Sequence, residues 1–224
     1  MIARLGHVFS SSIIKKQVMG LTGLLLCGFL VGHLAGNLLI YLGPDYFNPY
    51  GHALVTNPLI YLAEAGLGAL FLAHVGMAAR LVIENNKARP VKYYVRQPSG
   101  KGSTFASSTM PYTGFLTLVF VILHIMQFKY GTYYVTEHNG VEMRDLYRLV
   151  VEFYQSPVAV LWYVLCMVSV GIHVKHGFWS AFQSLGFNHP RYTPMLQKLS
   201  WAFAVLVASG FASLPLYCFF QGGN

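Results

Sequence analysis

Four imidazoles and one carboxylate stand where so apolar a chain would be expected to carry neither. His33, His74, His124 and His173 each fall inside a long apolar run, one to a run, and Glu64 is the carboxylate in a comparable position. Imidazole ligates metals and exchanges protons near neutral pH. In hydrocarbon an ionisable group is costly, and it usually faces the interior of a helix bundle, where it has a task. The chemistry on offer is therefore metal coordination or proton transfer. Cysteine offers little. Cys27, Cys166 and Cys218 lie far apart in apolar stretches with no Cys-x-x-Cys pair, which excludes a disulfide framework and an iron–sulfur cluster within this chain. Cys-x-x-Cys-His is missing too, so any haem here would be held non-covalently.

The elements that position these residues must be membrane helices. Of 224 residues, 55% are hydrophobic and 10% charged, where a soluble domain carries about 25% charged residues. Mean hydropathy is +0.50. Five runs can cross about 30 Å of hydrocarbon: 18–42, 58–83, 111–131, 157–180 and 196–220. The first is longer than a signal-peptide core and closes on no small-x-small site, so it reads as a retained span. Asn57-Pro58, Ser156-Pro157 and Thr193-Pro194 each set a capping side chain before a proline at the first helical position. Pro111, after Ser108 and Thr109, opens the third span in the same manner, and Pro215 is placed to kink the last. The expected fold is an all-α integral membrane protein, a single domain over 1–224 with five transmembrane helices. Segments 84–110 and 131–155 read as connectors, and no internal repeat stands out.

Charge orients the bundle. Arg4, Lys15, Lys16, Arg80, Lys87, Arg89, Lys92, Arg96, Lys101, Lys175, Arg191 and Lys198, 12 of the 15 basic residues, fall on one side. Lys129, Arg144 and Arg148 fall on the other, among most of the acidic residues. The positive-inside rule then puts the N-terminus in the cytoplasm and the C-terminus outside. The net charge of +8 is a topology signal and carries no nucleic-acid footprint.

Depth sorts the histidines. His33 lies 17 residues after Lys16 on an outward-running helix and His124 lies 13 after Pro111 on another, so both stand roughly 20–25 Å from the inner edge. His74 and His173 each lie 16 residues after the proline that opens an inward-running helix. Two levels result, about 15 Å apart: His33 with His124 in the outer half, His74 with His173 in the inner half. His176, nearly on the face of His173, is a rival ligand at the inner level. Two imidazoles at one depth on different helices can grip an iron from both sides and fill its coordination sphere, which leaves electron transfer as its task. The reading is two b-type haems in a bundle of the first four helices. Gly28, Gly32 and Gly36 beside His33, Ala69, Ala73 and Gly76 around His74, and Gly171 and Gly177 about His173 leave flat surface for a porphyrin, or serve close helix packing. Arg80, Lys175 and Ser180 are candidates for the inner haem's propionates, or are ordinary interfacial residues.

Gly32-His33-Leu34-Ala35-Gly36-Asn37-Leu38 and the run from His173-Val174-Lys175-His176-Gly177 to Gln183-Ser184-Leu185-Gly186 resemble the dihaem cytochrome b subunit of succinate dehydrogenases and menaquinol:fumarate reductases. The resemblance runs through all five helices, from Ser11 to Tyr217. In that family the fourth ligand lies four residues before a glycine, which implies His173 before Gly177. The resemblance further implies a proximal haem on His74 and His173 near the cytoplasm, and a distal haem on His33 and His124. It implies two soluble partners on the cytoplasmic side, a flavoprotein acting on succinate and fumarate and an iron–sulfur subunit, so FAD and the clusters would lie outside this chain. The chain would be their anchor in a bacterial cytoplasmic (inner) membrane, serving anaerobic respiration through menaquinone and menaquinol. Quinol oxidation needs a proton acceptor. Glu64, ten residues outward of His74 and thus about 15 Å away, is at the depth of the distal haem and is the candidate; His52, Asn48 and Asp45 are weaker ones. Some relatives carry a glutamate two residues before the fourth-helix ligand, where this chain has Gly171, so turnover is expected to be electrogenic. Two other readings stay open. A hydrogenase or formate dehydrogenase anchor would lack the His173–Gly186 motif, and a transporter with imidazole proton relays would bind no haem.

Overall fold

The computed structural model describes residues 11–88 and 105–221. Arg4, Arg89, Lys92, Arg96 and Lys101 of the basic face lie outside the described residues. Five helices are long and apolar enough to cross a membrane: α1 (Ser12–Asn37), α3 (Ile60–Lys87), α4 (Phe105–His124), α6 (Pro157–Ser184) and α7 (Thr193–Gln221). α1 runs on into a 3-10 turn, Leu38–Leu42, and α4 into a π-helical turn, Ile125–Lys129. The short helices α2 (Pro44–Thr56) and α5 (Leu146–Phe153), with strands β1 (Val135–His138) and β2 (Val141–Arg144), sit at one end.

Several helix starts differ from the proline rule. Ser156 does cap α6, its hydroxyl accepting from Ala159 N at 3.5 Å with Pro157 in the first turn. Asn57 instead closes a turn, accepting from Leu59 N at 2.9 Å, and α3 begins two residues after Pro58. Pro111 lies inside α4, not at its start; membrane helices tolerate this where neighbours re-satisfy the freed backbone. Thr193 is itself helical, its hydroxyl accepting from His189 N and donating to Asn188 Oδ1, each at 3.1 Å. Pro215 is buried within α7.

The two loops at the far end, 43–57 and 131–155, are structured, although the second reads from sequence as a plain connector. β1 and β2 form an antiparallel hairpin about Asn139-Gly140, with φ of 52° and 78°, the left-handed pair that a two-residue turn of this hand requires. α5 is strongly amphipathic and packs against α2. Asn48 of α2 is buried and joins them, donating to Asp145 Oδ1 and accepting from Tyr147 N, both at 2.8 Å. These pieces cap the end where α1, α4 and α7 finish. The opposite end carries Lys15, Arg80, Lys175 and Lys198.

α6 is the central helix. Its buried Tyr163, Cys166, Met167, Val170 and Val174 follow the three-and-four spacing of one face. It packs most extensively on α7, then on α1 and α4, while α3 leans on α1. Where α6 meets α7, a Cβ at Gly171 would stand 2.9 Å from Ala208 Cβ. The Ser200 hydroxyl donates to the Lys175 carbonyl across the same contact. By contrast, α3 and α4 leave almost all of their apolar spans uncovered, and they share no substantial interface with each other.

Candidate functional site: two facing imidazole pairs

The four intramembrane histidines meet two by two. The His33 and His124 rings lie 5.8 Å apart between centroids and nearly perpendicular, at 89°. The His74 and His173 rings lie 6.4 Å apart at 74°. Each pair bridges helices that otherwise share no substantial packing, α1 with α4 and α3 with α6. All four side chains are half-buried.

Contacts along the helices fix the levels. The His74 ring lies against α1 at Thr22 and Gly23, and His33 follows on the same helix ten residues past Gly23, about 15 Å. The His173 ring lies against α4 at Thr113 and Gly114, with His124 ten residues past Gly114 and again about 15 Å on. The His33–His124 pair is the one nearer the capped end.

Each ring also has a partner at Nδ1. Thr22 Oγ1 is 3.2 Å from His74 Nδ1 and Thr113 Oγ1 is 3.3 Å from His173 Nδ1. The Tyr163 hydroxyl, which donates to Gln127 Oε1 at 2.5 Å, is 3.5 Å from His124 Nδ1. Asn37 Nδ2 is 3.4 Å from His33 Nδ1. Phe29 stacks on His33, and Phe211 of α7 lies 5.6 Å from it. Phe120, Phe128 and Tyr163 enclose His124.

An iron bonded to two imidazole nitrogens at about 2 Å each holds the ring centres roughly 6 Å apart, which both pairs match. Among the described residues no group of three or more His, Cys, Asp or Glu converges, so a bare ion would find only two ligands at either level. A macrocycle supplying the other four suits such a pair. A Cβ at Gly28, Gly32, Gly76 or Gly177 would meet open space. Gly36 and Gly171 serve packing instead: the Tyr50 ring lies against the first and Ala208 against the second.

The remaining candidates are placed less simply. Glu64 is not the enclosed carboxylate that its depth suggested. It lies near the capped end of α3, its side chain 44% exposed and 2.5 Å from Lys129 Nζ. Arg80 Nε pairs with Glu84 Oε1 at 3.0 Å, and the buried Lys15 reaches the same carboxylate at 2.6 Å. Lys175 is exposed, and Ser180 and His176 are half-buried. His176 is not the ring that faces His74. Asn48 links α2 to α5, Asp45 lies 3.4 Å from His138 Nδ1, and the His52 carbonyl accepts from Thr56.

Sequence reasoning missed Thr22-Gly23 and Thr113-Gly114. A signal was there: Thr-Gly, nine residues, then His occurs at 22–33 and again at 113–124.

Fold and site define a multi-pass helical membrane protein with two intramembrane imidazole pairs at separate depths. The chain is similar to the succinate dehydrogenase cytochrome b558 subunit of Bacillus subtilis (strain 168), 23% identical over 189 residues that cover 83% of this chain and 84% of that protein. No protein-family model and no solved structure matches it.

Proposed function

We propose that this chain is the membrane-anchor cytochrome b subunit of a succinate dehydrogenase or fumarate reductase complex, holding two b haems between a menaquinone site and an iron–sulfur partner. The carrying observation is the pair of imidazole bridges across helices that do not otherwise pack. The similarity to a cytochrome b558 subunit over most of both chains supports the family.

His33 and His124 hold the distal iron, and His74 and His173 the proximal one. When bound, bis-histidine haems supply one-electron transfer with no open coordination position. The protein's share is to present Nε2 at each level, to keep the levels about 15 Å apart and to exclude water with α6, α7 and the aromatic residues around His124. Arg80, Lys175 and Ser180 at the basic end are proposed partners for the proximal propionates. Glu64 is proposed to accept a proton from menaquinol near the distal level. The basic end faces the cytoplasm by the positive-inside rule, and there the flavoprotein and iron–sulfur subunits dock, bringing FAD and the clusters with them. The capped end faces outward.

The test is a reduced-minus-oxidised spectrum of the purified complex with each histidine replaced in turn by alanine. Wild type should hold two b haems per chain. His33→Ala and His124→Ala should each lose one, and His74→Ala and His173→Ala should each lose the other. Four variants with undiminished pigment, or a wild type with none, would refute the reading. The second outcome would favour an imidazole proton relay.

A further inference from the structure

We propose that Thr22 and Thr113 are positioning residues for the inner imidazoles, each fixing its histidine as the Nδ1–H tautomer so that Nε2 faces the iron; this rests on the haem reading. The two sites are built alike on different helices. Thr22 Oγ1 is 2.8 Å from Val18 O and 3.0 Å from Met19 O, and 3.2 Å from His74 Nδ1. Thr113 Oγ1 is 3.2 Å from both Thr109 O and Met110 O, and 3.3 Å from His173 Nδ1.

A hydroxyl has one proton and two lone pairs. Facing two carbonyls of its own helix, it commits that proton there and turns a lone pair to the imidazole. Nδ1 must then carry the hydrogen and donate it, which leaves the Nε2 lone pair for metal. The adjacent glycines complete the seat. A Cβ at Gly23 would stand 3.2 Å from His74 Cε1, and one at Gly114 would stand 3.3 Å from His173 Cε1. A side chain at either position would crowd the ring and make it shift.

Spacing explains why two helices share the device. Eleven residues separate Thr22 from His33 and Thr113 from His124, which is about three turns with only some 20° of drift. One face of each helix thus offers a hydroxyl and a glycine at the inner level and an imidazole at the outer. The outer pair has no matching seat. His124 has the Tyr163 phenol at 3.5 Å, and His33 has the amide of Asn37 from its own helix. A hydrogen bond from Nδ1 makes the imidazole a stronger donor to the metal, so both inner ligands stabilise ferric iron in the same way.

Threonine in a membrane helix often bonds its own backbone with no further role, and substitution separates the two cases. Optical redox titration is performed on membranes holding the full chain with its partner subunits, as wild type, Thr22→Val, Thr113→Val, Thr22→Ser and Thr113→Ser. The inner component is the one absent from His74→Ala. In each valine variant its midpoint should rise by about a tenfold change in the oxidised-to-reduced ratio, roughly 59 mV for a one-electron couple, or the component should be lost while the outer one stays. The serine variants, which keep the hydroxyl, should titrate as wild type. Valine variants that titrate as wild type, or serine variants that shift as far as valine, would overturn the proposal. A wild-type complex without haem would overturn the haem reading itself.

Discussion

Glu64 and Lys129 approach to 2.5 Å near the capped end, one from α3 and the other from the π-helical turn that follows His124. The pairing ties Glu64 to the segment that carries His124, five residues before Lys129. On the proposed reading, a carboxylate there would be within reach of a quinol bound beside the distal level. Positioned general bases contribute about 10²–10⁴-fold. Glu64→Gln, nearly isosteric, is therefore expected to lower menaquinol oxidation about 100-fold with both haems retained. Steady-state turnover with a menaquinol analogue, normalised to haem content, measures this. Turnover at the wild-type rate would reduce Glu64 to a tether for Lys129. Glu84 differs in kind: held by both Lys15 and Arg80, it fastens the start of α1 to the end of α3 and is committed to structure.

Helices that pack tightly and helices that stand apart divide the labour. The α6–α7 contact depends on Gly171, where a methyl group would stand 2.9 Å from Ala208 Cβ and 3.6 Å from the Ala204 carbonyl. Neither atom can move without its helix. Gly171→Ala is expected to destabilise the protein by about 1–3 kcal/mol, the usual cost of overpacking, seen as a lower thermal unfolding midpoint in detergent. An unchanged midpoint would show that the two helices part at no cost. The levels of the four histidines were legible in the sequence because depth on a helix is arithmetic once its ends are marked by Lys16, Pro58, Pro111 and Pro157. That the ends themselves shift by a few residues, as at Pro111 and Thr193, hardly alters a separation of ten residues. The Asn139-Gly140 hairpin was missed: this dipeptide between Val135 and Val141 is the plainest short-range turn signal, but the polar, mixed-charge surroundings read as a connector in an all-α fold. α2 was harder: Gly43, Pro44, Pro49 and Gly51 are loop punctuation, and its helix is held by tertiary contacts such as those of Asn48. The threonine seats were invisible as chemistry, because nothing in Thr-Gly reveals which ring from another helix lies against it.

Across the whole molecule, the question is whether charge crosses the bilayer uncompensated. Of seven acidic residues, Asp45, Glu137, Glu142, Asp145 and Glu152 belong to the capped end, which leaves Glu64 and Glu84 on the spanning helices. Those two lie 20 residues apart on α3, about 30 Å, and Glu84 is bound by two cations. Between the imidazole levels no carboxylate stands. Gly171, two residues before His173, offers no carboxylate, and Ala208 lies against it. Electrons passing between the distal and proximal levels would therefore move without a carboxylate relay to carry protons alongside. In the proposed complex, protons released by menaquinol at the Glu64 end would stay on that side, while dicarboxylate chemistry on the proposed partner would take up or release its own on the other. Moving one charge across the membrane is worth about 2.3 kcal/mol per 100 mV, so turnover of the proposed complex is expected either to build a potential or to draw on one. Proteoliposomes containing the complex, supplied with a menaquinol analogue and fumarate, are expected to shift a potential-sensitive dye, and a protonophore should abolish the shift while changing the rate. Reversing the substrates to succinate and menaquinone should make the rate depend on an imposed potential of the opposite sense. Sustained turnover with no dye response in either direction would require a proton path through the bundle made of groups other than carboxylates.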